Sequence, residues 1–231
     1  MSEKVYERLE KYYGKAFNIE PIEHIYEKTI PYDVFYYLRD SVNELLSRRA
    51  MYTKTTNPEY ETLGLTYNPY LDIDGYKQYS HNLPLGAHGR DDTHAFVRPL
   101  PESEFLYNIC EFTPVRAKIT RMSGRFTTSE WHYDEPIDEC IKVIIPTKTD
   151  NECYFQYENH KPIRLEIGKA YFFDSSFHHR FIYGNCETDE VHIVFGLSTK
   201  FSYDYSRNHW YYDEDRSKKT IKDLIDESVM F

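Results

Sequence analysis

Apolar residues recur at helical spacing near both ends of the chain. In residues 3–17 they lie three or four positions apart with Glu and Lys between them, which predicts an amphipathic helix. A second helix is predicted to begin at Pro31, because the missing N–H of proline costs nothing at the first helical position. Its apolar stripe consists of Val34, Leu38, Val42, Leu45 and Leu46. The tail predicts a last helix with one apolar side, formed by Ile221, Leu224 and Ile225.

Residues 52–98 show a different pattern, in which turn signals separate aromatic residues. Pairs such as Asn57 with Pro58, Asn68 with Pro69 and Asp74 with Gly75 are typical of turns. The pattern predicts loops with short strands, which either line a substrate site or wrap the surface. A short helix is predicted to follow at Pro101, with Glu102 and Glu104 near its positive end.

After Pro114 the pattern becomes one strand after another. Eight short strands with no helix between them favour an antiparallel barrel or jelly roll. They are predicted at residues 115–122, 126–134, 140–146, 152–157, 163–167, 170–173, 179–183 and 190–199. We therefore predict a mainly β fold and a single domain over residues 1–231. Its parts are a helical flank (1–50), a loop-rich segment with a short helix (51–113), a jelly-roll core (114–200) and a helical tail (201–231).

Composition narrows the possible partners and the compartment. Aromatic residues make up 17% of the 231 residues, with 23 tyrosines, so we expect a core rich in amphipathic rings. The formal charge of -10 argues against nucleic acid or an anionic membrane as a main partner. The four cysteines form no CxxC pair, and the N-terminus has no signal-peptide pattern, so a reducing cytoplasm is expected. No apolar run reaches the roughly 18 residues that a membrane helix needs.

One short motif suggests metal chemistry. His132 and Asp134 are two residues apart, so on an extended strand both side chains point to the same face and can reach one ion. A histidine from a distant strand would complete a set of two imidazoles and one carboxylate. That set leaves other coordination positions open, as in ferrous oxygenases. The simpler alternative is that these histidines are surface residues or hydrogen-bonded core residues.

The order of several segments resembles a known family. Residues 115–119, 132–136, 142–146, 168–179 and 191–195 follow one another as in the Fe(II)/2-oxoglutarate-dependent oxygenases, and within them the aspartyl/asparaginyl β-hydroxylase domain group. The resemblance covers about residues 101–200. It implies a double-stranded β-helix, which is a cupin-like jelly roll. It also implies a dioxygenase that uses Fe(II), dioxygen and 2-oxoglutarate to hydroxylate an amino-acid or peptide side chain, releasing succinate and CO2.

By this resemblance the iron ligands would be His132, Asp134 and His179. His178 competes for the third position, since adjacent strand residues face opposite ways and only one of them can point at the metal. The family's run of Phe, Asp, two residues, Phe, one residue and His fits His179 without a gap.

The resemblance also implies a cation for the distal carboxylate of 2-oxoglutarate. Lys142 lies in an otherwise apolar strand, at the place of a cosubstrate-binding arginine, although it could instead lie on an exposed face. A second family arginine is replaced by Glu190, which would repel the cosubstrate. His192 and Arg121 could then contribute to a rearranged pocket. Two further interpretations stay open, namely a cupin-like metal-binding protein with a non-oxidative activity and a non-catalytic interaction domain.

Overall fold

The computed structural model of this chain describes residues 25–49, 52–54, 57–73, 76–79, 97–123, 127–134, 137, 140–149, 152–184 and 188–231. The helix predicted at residues 3–17 lies outside the described residues. Within those ranges, no helix is both long enough and apolar enough to cross a membrane.

The predicted second helix is confirmed as α1 (Tyr32–Arg48), which begins directly after Pro31. Its buried side chains are Phe35, Leu38, Val42 and Leu45. Val34 and Leu46, which were part of the predicted stripe, are only partly buried. The helix packs this apolar side against the outer face of the large β-sheet, where it shares a core cluster with that sheet.

Two shorter helices follow later in the chain, and both confirm predictions. Each is preceded by a 3-10 turn: Pro101–Ser103 before α2 (Glu104–Tyr107), and Arg216–Lys218 before α3 (Ile221–Ser228). A capping box fixes the start of α3, since the Thr220 hydroxyl accepts from the Asp223 amide and the Asp223 carboxylate accepts from the Thr220 amide.

The described residues form sixteen strands in four antiparallel sheets. In chain order the strands are β1 (Ile25–Thr29), β2 (Tyr52–Lys54), β3 (Asn57–Gly64), β4 (Thr66–Ile73), β5 (Tyr76–Tyr79), β6 (Arg98–Pro99), β7 (Pro114–Met122), β8 (Thr127–Thr128), β9 (Cys140–Lys148), β10 (Cys153–Tyr157), β11 (Ile163–Arg164), β12 (Lys169–Phe173), β13 (His179–Tyr183), β14 (Glu190–Ser198), β15 (Phe201–Asp204) and β16 (His209–Tyr212). The largest sheet has the order β1-β12-β9-β14-β7-β3-β2, and a second has the order β11-β10-β13-β8.

The order of β7 to β14 is that of a jelly roll. In the large sheet β7, β14, β9 and β12 are neighbours, whereas β8, β13, β10 and β11 are neighbours in the four-stranded sheet. The chain therefore passes from one sheet to the other at most connections, and the first strand of each sheet pairs with a late one. This mainly β, double-stranded β-helix core with flanking helices is the fold predicted from the sequence.

The segment after residue 51 contains more strand than predicted. β3 and β4 each span eight residues, and the expected turn signals at Asn57 with Pro58 and Asn68 with Pro69 lie inside them. Proline is tolerated in a strand at an edge or where the register shifts. The register shifts in the pairing of β3 with β2 and in the pairing of β4 with β5, and each shift lies near one of these prolines.

Three further elements differ from the prediction. The strand expected at residues 126–134 shortens to β8, and His132 forms only an isolated bridge with His179. β1 lies in the flank predicted as helical and extends the large sheet beside β12. The hairpin of β15 and β16 lies in the tail that was predicted as helical.

Consecutive residues of β9 face two separate cores. Val143 and Ile145 pack toward the helices, whereas Ile144 faces the barrel interior with aromatic residues of both sheets. Lys142 shares the face of Ile144, since side chains alternate along a strand. Its ammonium therefore enters the barrel near the end at which β13 begins.

Candidate metal centre

Three side chains converge at one end of the barrel. Potential ligand atoms of His132, Asp134 and His179 all lie within 4.8 Å of one another. Two backbone hydrogen bonds join residues 132 and 179, at 3.1 and 3.0 Å, and the Asp134 amide donates to the Ser175 carbonyl oxygen at 2.8 Å. The segment after β8 is thus held against the start of β13, although it is not a regular strand as predicted.

Backbone carbonyl groups orient both imidazoles. Nδ1 of His132 lies 2.8 Å from the Glu130 carbonyl oxygen, and Nδ1 of His179 lies 2.8 Å from the Phe177 carbonyl oxygen. Because a carbonyl oxygen only accepts, Nδ1 carries the proton, and in the neutral imidazole Nε2 then has a free lone pair. That tautomer is the one in which Nε2 can bind a metal, with the carbonyl as its supporting partner.

The electrostatics favour the ionisation states that a metal requires. Burial alone would raise the pKa of the Asp134 carboxyl, but the Lys142 ammonium and the two imidazoles outweigh it and hold this pKa well below its usual range. Burial, followed by the charge of His132, lowers the pKa of His179 to about 4. Asp134 is therefore an anion and His179 is neutral at neutral pH, ready to coordinate without losing a proton.

Aromatic rings wall one side of the centre. The His179 ring stacks on Phe155 at a centroid distance of 5.4 Å and meets Phe173 edge-on at 5.7 Å. His179 is 1% exposed, whereas the Asp134 side chain is 32% exposed. The three candidate ligands thus have water-excluding aromatic rings on one side and an opening to solvent on the other.

His178 points away from this cluster. Its Nδ1 lies 2.9 Å from the Glu158 carboxylate, and its ring stacks on Tyr133 at 4.5 Å. Only His179 of this adjacent pair contributes an atom to the candidate centre. The alternation of side chains at the start of β13 explains the difference.

Lys142 lies beside the candidate metal ligands, whereas the resemblance placed it at the distal carboxylate of the cosubstrate. Its Nζ is 3.0 Å from Oδ2 of Asp134, so the lysine proposed for the cosubstrate contacts a candidate metal ligand. Tyr60 of β3 lies near the same pair, and burial together with the Asp134 charge raises the pKa of its hydroxyl. Sequence reasoning missed Tyr60, since it belongs to a segment predicted to be loop-rich.

Arg121 does not face the barrel, which corrects the prediction that it could bind the cosubstrate. Ile119, two residues earlier on β7, packs toward the helices, and Arg121 shares that face. Its guanidinium donates to the Glu61 carboxylate at 2.6 Å. The large sheet therefore separates this cation from the candidate metal centre.

His192 lies inside the barrel but far from the centre. Its neighbours are Glu190 and Cys153, at the opposite end of β13 from His179. The position where the resemblance expects an arginine is thus occupied by a buried carboxylate and an imidazole. These residues do not fit the family's way of holding a distal carboxylate, whereas the three residues at the other end fit Fe(II).

Arg180 is a further residue whose setting the sequence did not reveal. It is 6% exposed, and its guanidinium donates to Oε1 of Gln156 at 3.1 and 2.8 Å. The group also lies 4.1 Å above the Trp131 ring. Arg180 and Gln156 pair across β13 and β10, a contact that only the strand register creates.

No protein-family model and no curated protein matches the sequence. Solved structures with a similar chain path include an oxidoreductase of the 2OG-Fe(II) oxygenase family from Burkholderia pseudomallei, with 15% identity, a TM-score of 0.45 and coverage of 86% of this chain and 90% of that one. A Trichoplax adhaerens prolyl hydroxylase in complex with a hypoxia inducible factor peptide has 9% identity, a TM-score of 0.46 and coverage of 95% and 98%. A Pseudomonas putida prolyl-4-hydroxylase has 7% identity, a TM-score of 0.44 and coverage of 76% and 94%. The fold assignment rests on the strand order itself, and at such identities a fold does not specify an activity. None of these three is an aspartyl/asparaginyl β-hydroxylase by description, so the narrower resemblance gains no support.

Proposed function

We propose that this chain is an Fe(II)-dependent dioxygenase that uses 2-oxoglutarate to hydroxylate an amino-acid or peptide side chain. The observation that carries the proposal is the convergence of His132, Asp134 and His179 with both Nδ1 atoms bound to backbone carbonyls. Two imidazoles and one carboxylate on one side of an ion are the donor set typical of non-haem ferrous oxygenases. Bound Fe(II) would supply binding positions for dioxygen and the cosubstrate, and their oxidative chemistry.

The chain's own residues would hold and shield this chemistry. His132 and His179 would offer Nε2, and Asp134 would offer a carboxylate oxygen that is ionised at neutral pH. Phe155 and Phe173 would keep water from the His179 side, because their rings pack directly against it. Exclusion of water and fixed ligand geometry are the protein's part of cofactor chemistry.

Lys142 is our candidate for the residue that binds a carboxylate of the cosubstrate. Its ammonium already lies beside Asp134 in a partly buried place, where a lysine needs an anionic partner. An ion bound by Asp134 would neutralise much of that carboxylate's charge. Lys142 would then be available to an incoming anion next to the metal.

Exposed aromatic residues next to the candidate ligands in the sequence favour an organic substrate of some size. Tyr133 is 57% exposed and Phe177 is 44% exposed, and each lies within two residues of a proposed ligand. Large exposed rings near a functional site are suited to binding apolar parts of a partner. They are consistent with an amino acid or a peptide, which we propose as the substrate class.

The central experiment is an anaerobic titration. Fe(II) followed by 2-oxoglutarate should produce a visible metal-to-ligand charge-transfer absorption, and dioxygen should then convert 2-oxoglutarate to succinate. His179→Ala should abolish Fe(II) binding, whereas the matched variant His178→Ala should keep it, since His178 pairs with Glu158 outside the cluster. Loss of binding in His178→Ala with retention in His179→Ala would refute the assignment of the third ligand.

Glu190 favours a second candidate function. A carboxylate at the place of the expected arginine is compatible with a cupin-like protein that binds a metal for a non-oxidative purpose. Fe(II) binding without the charge-transfer absorption would support this candidate. If the protein binds no divalent metal at all, both metal-dependent functions fail and a non-catalytic interaction domain is left.

A further inference from the structure

A second cluster of residues that could bind a metal lies inside the barrel, at the opposite end of β13 from His179. Cys153 begins β10, and Glu190 and His192 lie at the start of β14. Potential ligand atoms of these three residues lie within 4.8 Å of one another, and the residues are 0%, 1% and 2% exposed. The function proposed above uses none of them.

The contacts of the carboxylate and the imidazole are unusual for a buried pair. Oε1 of Glu190 accepts a hydrogen bond from the Thr149 hydroxyl at 2.8 Å, which turns Oε2 toward His192. Nε2 of His192 lies 3.6 Å from Oε2 and has no hydrogen-bond partner among the described residues. Buried imidazole nitrogens normally have a hydrogen-bond partner. A nitrogen that points toward a carboxylate without bonding to it therefore needs an explanation.

A metal ion accounts for this spacing. Bonds of about 2.0–2.2 Å to nitrogen and oxygen at tetrahedral angles would place these two atoms roughly 3.4 Å apart. The observed 3.6 Å is close to that edge and longer than a good hydrogen bond. The two atoms are thus spaced to share an ion rather than to contact each other.

We propose that Cys153, Glu190 and His192 form a second metal centre, one that binds Zn²⁺. A thiolate, an imidazole and a carboxylate are all zinc ligands, and three protein ligands leave a fourth position for water. A thiolate and a carboxylate carry two negative charges, which one Zn²⁺ ion cancels in a place where net charge would be costly. Thr149 positions the Glu190 carboxylate. The Tyr183 ring stacks on His192 at 6.4 Å and an angle of 29°, which holds the imidazole in place.

This centre is separate from the one proposed for iron. On β13, His179 pairs with Tyr157 and Tyr183 pairs with Cys153. The two pairs are four residue positions apart along the strand, which at roughly 3.3 Å per residue is about 13 Å. The second proposal therefore does not depend on the first, and either can fail alone.

Cobalt can report on the two centres separately. Zn²⁺ or Co²⁺ is added to the full chain after removal of metals, and the bound metal is counted. We expect two bound ions per chain and a near-ultraviolet thiolate-to-Co²⁺ charge-transfer absorption. Cys153→Ser should remove this absorption and one of the two ions. His132→Ala should lose the other ion and keep the thiolate absorption.

Cys140→Ser is the matched control, since Cys140 is equally buried but lies outside the cluster. It should keep the absorption and both ions. An absorption that survives Cys153→Ser or disappears in Cys140→Ser would overturn the proposal. Zinc X-ray absorption on the unmodified protein needs no variant. A sulfur shell at about 2.3 Å is expected, and a shell of nitrogen and oxygen alone, or a protein that binds no zinc beyond the first centre, would refute the site.

Discussion

Replacing Lys142 with methionine separates two effects of a cation beside the candidate metal centre. The ammonium lies 3.0 Å from Oδ2 of Asp134. A metal bound to this carboxylate at about 2.1 Å would lie within roughly 5 Å of the ammonium. Even with the dielectric constant of water, a single and a double positive charge at 5 Å repel by about 1.7 kcal/mol. We therefore expect Lys142→Met to bind Fe(II) at least roughly tenfold more tightly in the absence of cosubstrate.

The same variant should bind 2-oxoglutarate more weakly. A hydrogen bond to a charged group contributes about 1.5–3 kcal/mol, so its loss should raise the apparent Kd for 2-oxoglutarate by about tenfold to a hundredfold. The affinity for Fe(II) is measured by anaerobic calorimetry. The affinity for 2-oxoglutarate is measured by anaerobic titration of the charge-transfer absorption.

Lys148→Met is the matched control, because Lys148 ends the same strand and is exposed. It should change neither constant by more than the small effect of one distant surface charge. If Lys142→Met binds 2-oxoglutarate as well as the unchanged protein does, Lys142 is not the carboxylate-binding residue. If it binds Fe(II) more weakly, the lysine positions Asp134 instead of competing with the metal.

Three further predictions test the fold and the site. Arg121→Leu should leave the affinity for 2-oxoglutarate unchanged in the same titration, because its guanidinium lies across the sheet, and weaker binding would contradict that placement. Gly196→Ala should lower the free energy of unfolding in urea by about 1–3 kcal/mol, since its Cβ would overlap Sγ of Cys140, and an unchanged midpoint would refute this packing. The metal-free protein should lose up to about 3 kcal/mol of stability as the pH falls from about 6.5 to about 4. The reason is that His179 takes up a proton near pH 6.5 in the unfolded chain but only near pH 4 in the folded protein. Urea midpoints measured across this range should show the loss, and His179→Leu should flatten it.

The jelly-roll strands could be predicted because their signal is local. β9, β13 and β14 alternate or run apolar between turn residues, and the predicted bounds match the observed ones within about two residues. β1 and the hairpin of β15 and β16 were missed for the opposite reason. They are four or five residues long, and they are strands because partners elsewhere in the chain pair with them.

The face of Arg121 could not be read from the sequence. Alternation assigns faces only while the strand stays regular, and β7 is irregular near its start, where Arg116 has φ 47° and the pairing with β14 shifts register. One residue of slip moves every later side chain to the other side of the sheet. His132 and Asp134 converge although their segment is not a regular strand, because backbone hydrogen bonds to residues 179 and 175 hold both beside the start of β13.

The two clusters of the barrel are too far apart for one cosubstrate to reach both. Between them, Phe155 and Phe181 meet edge to face with centroids 5.4 Å apart, and Ile144 lies in the same core. 2-Oxoglutarate has five carbons and is shorter than two residues of extended chain, about 7 Å, whereas the clusters are about 13 Å apart along β13. A cosubstrate bound at the first centre therefore ends before Glu190 and must find its cation near the opening. Lys142 meets that requirement, so the carboxylate at position 190 does not by itself argue against 2-oxoglutarate.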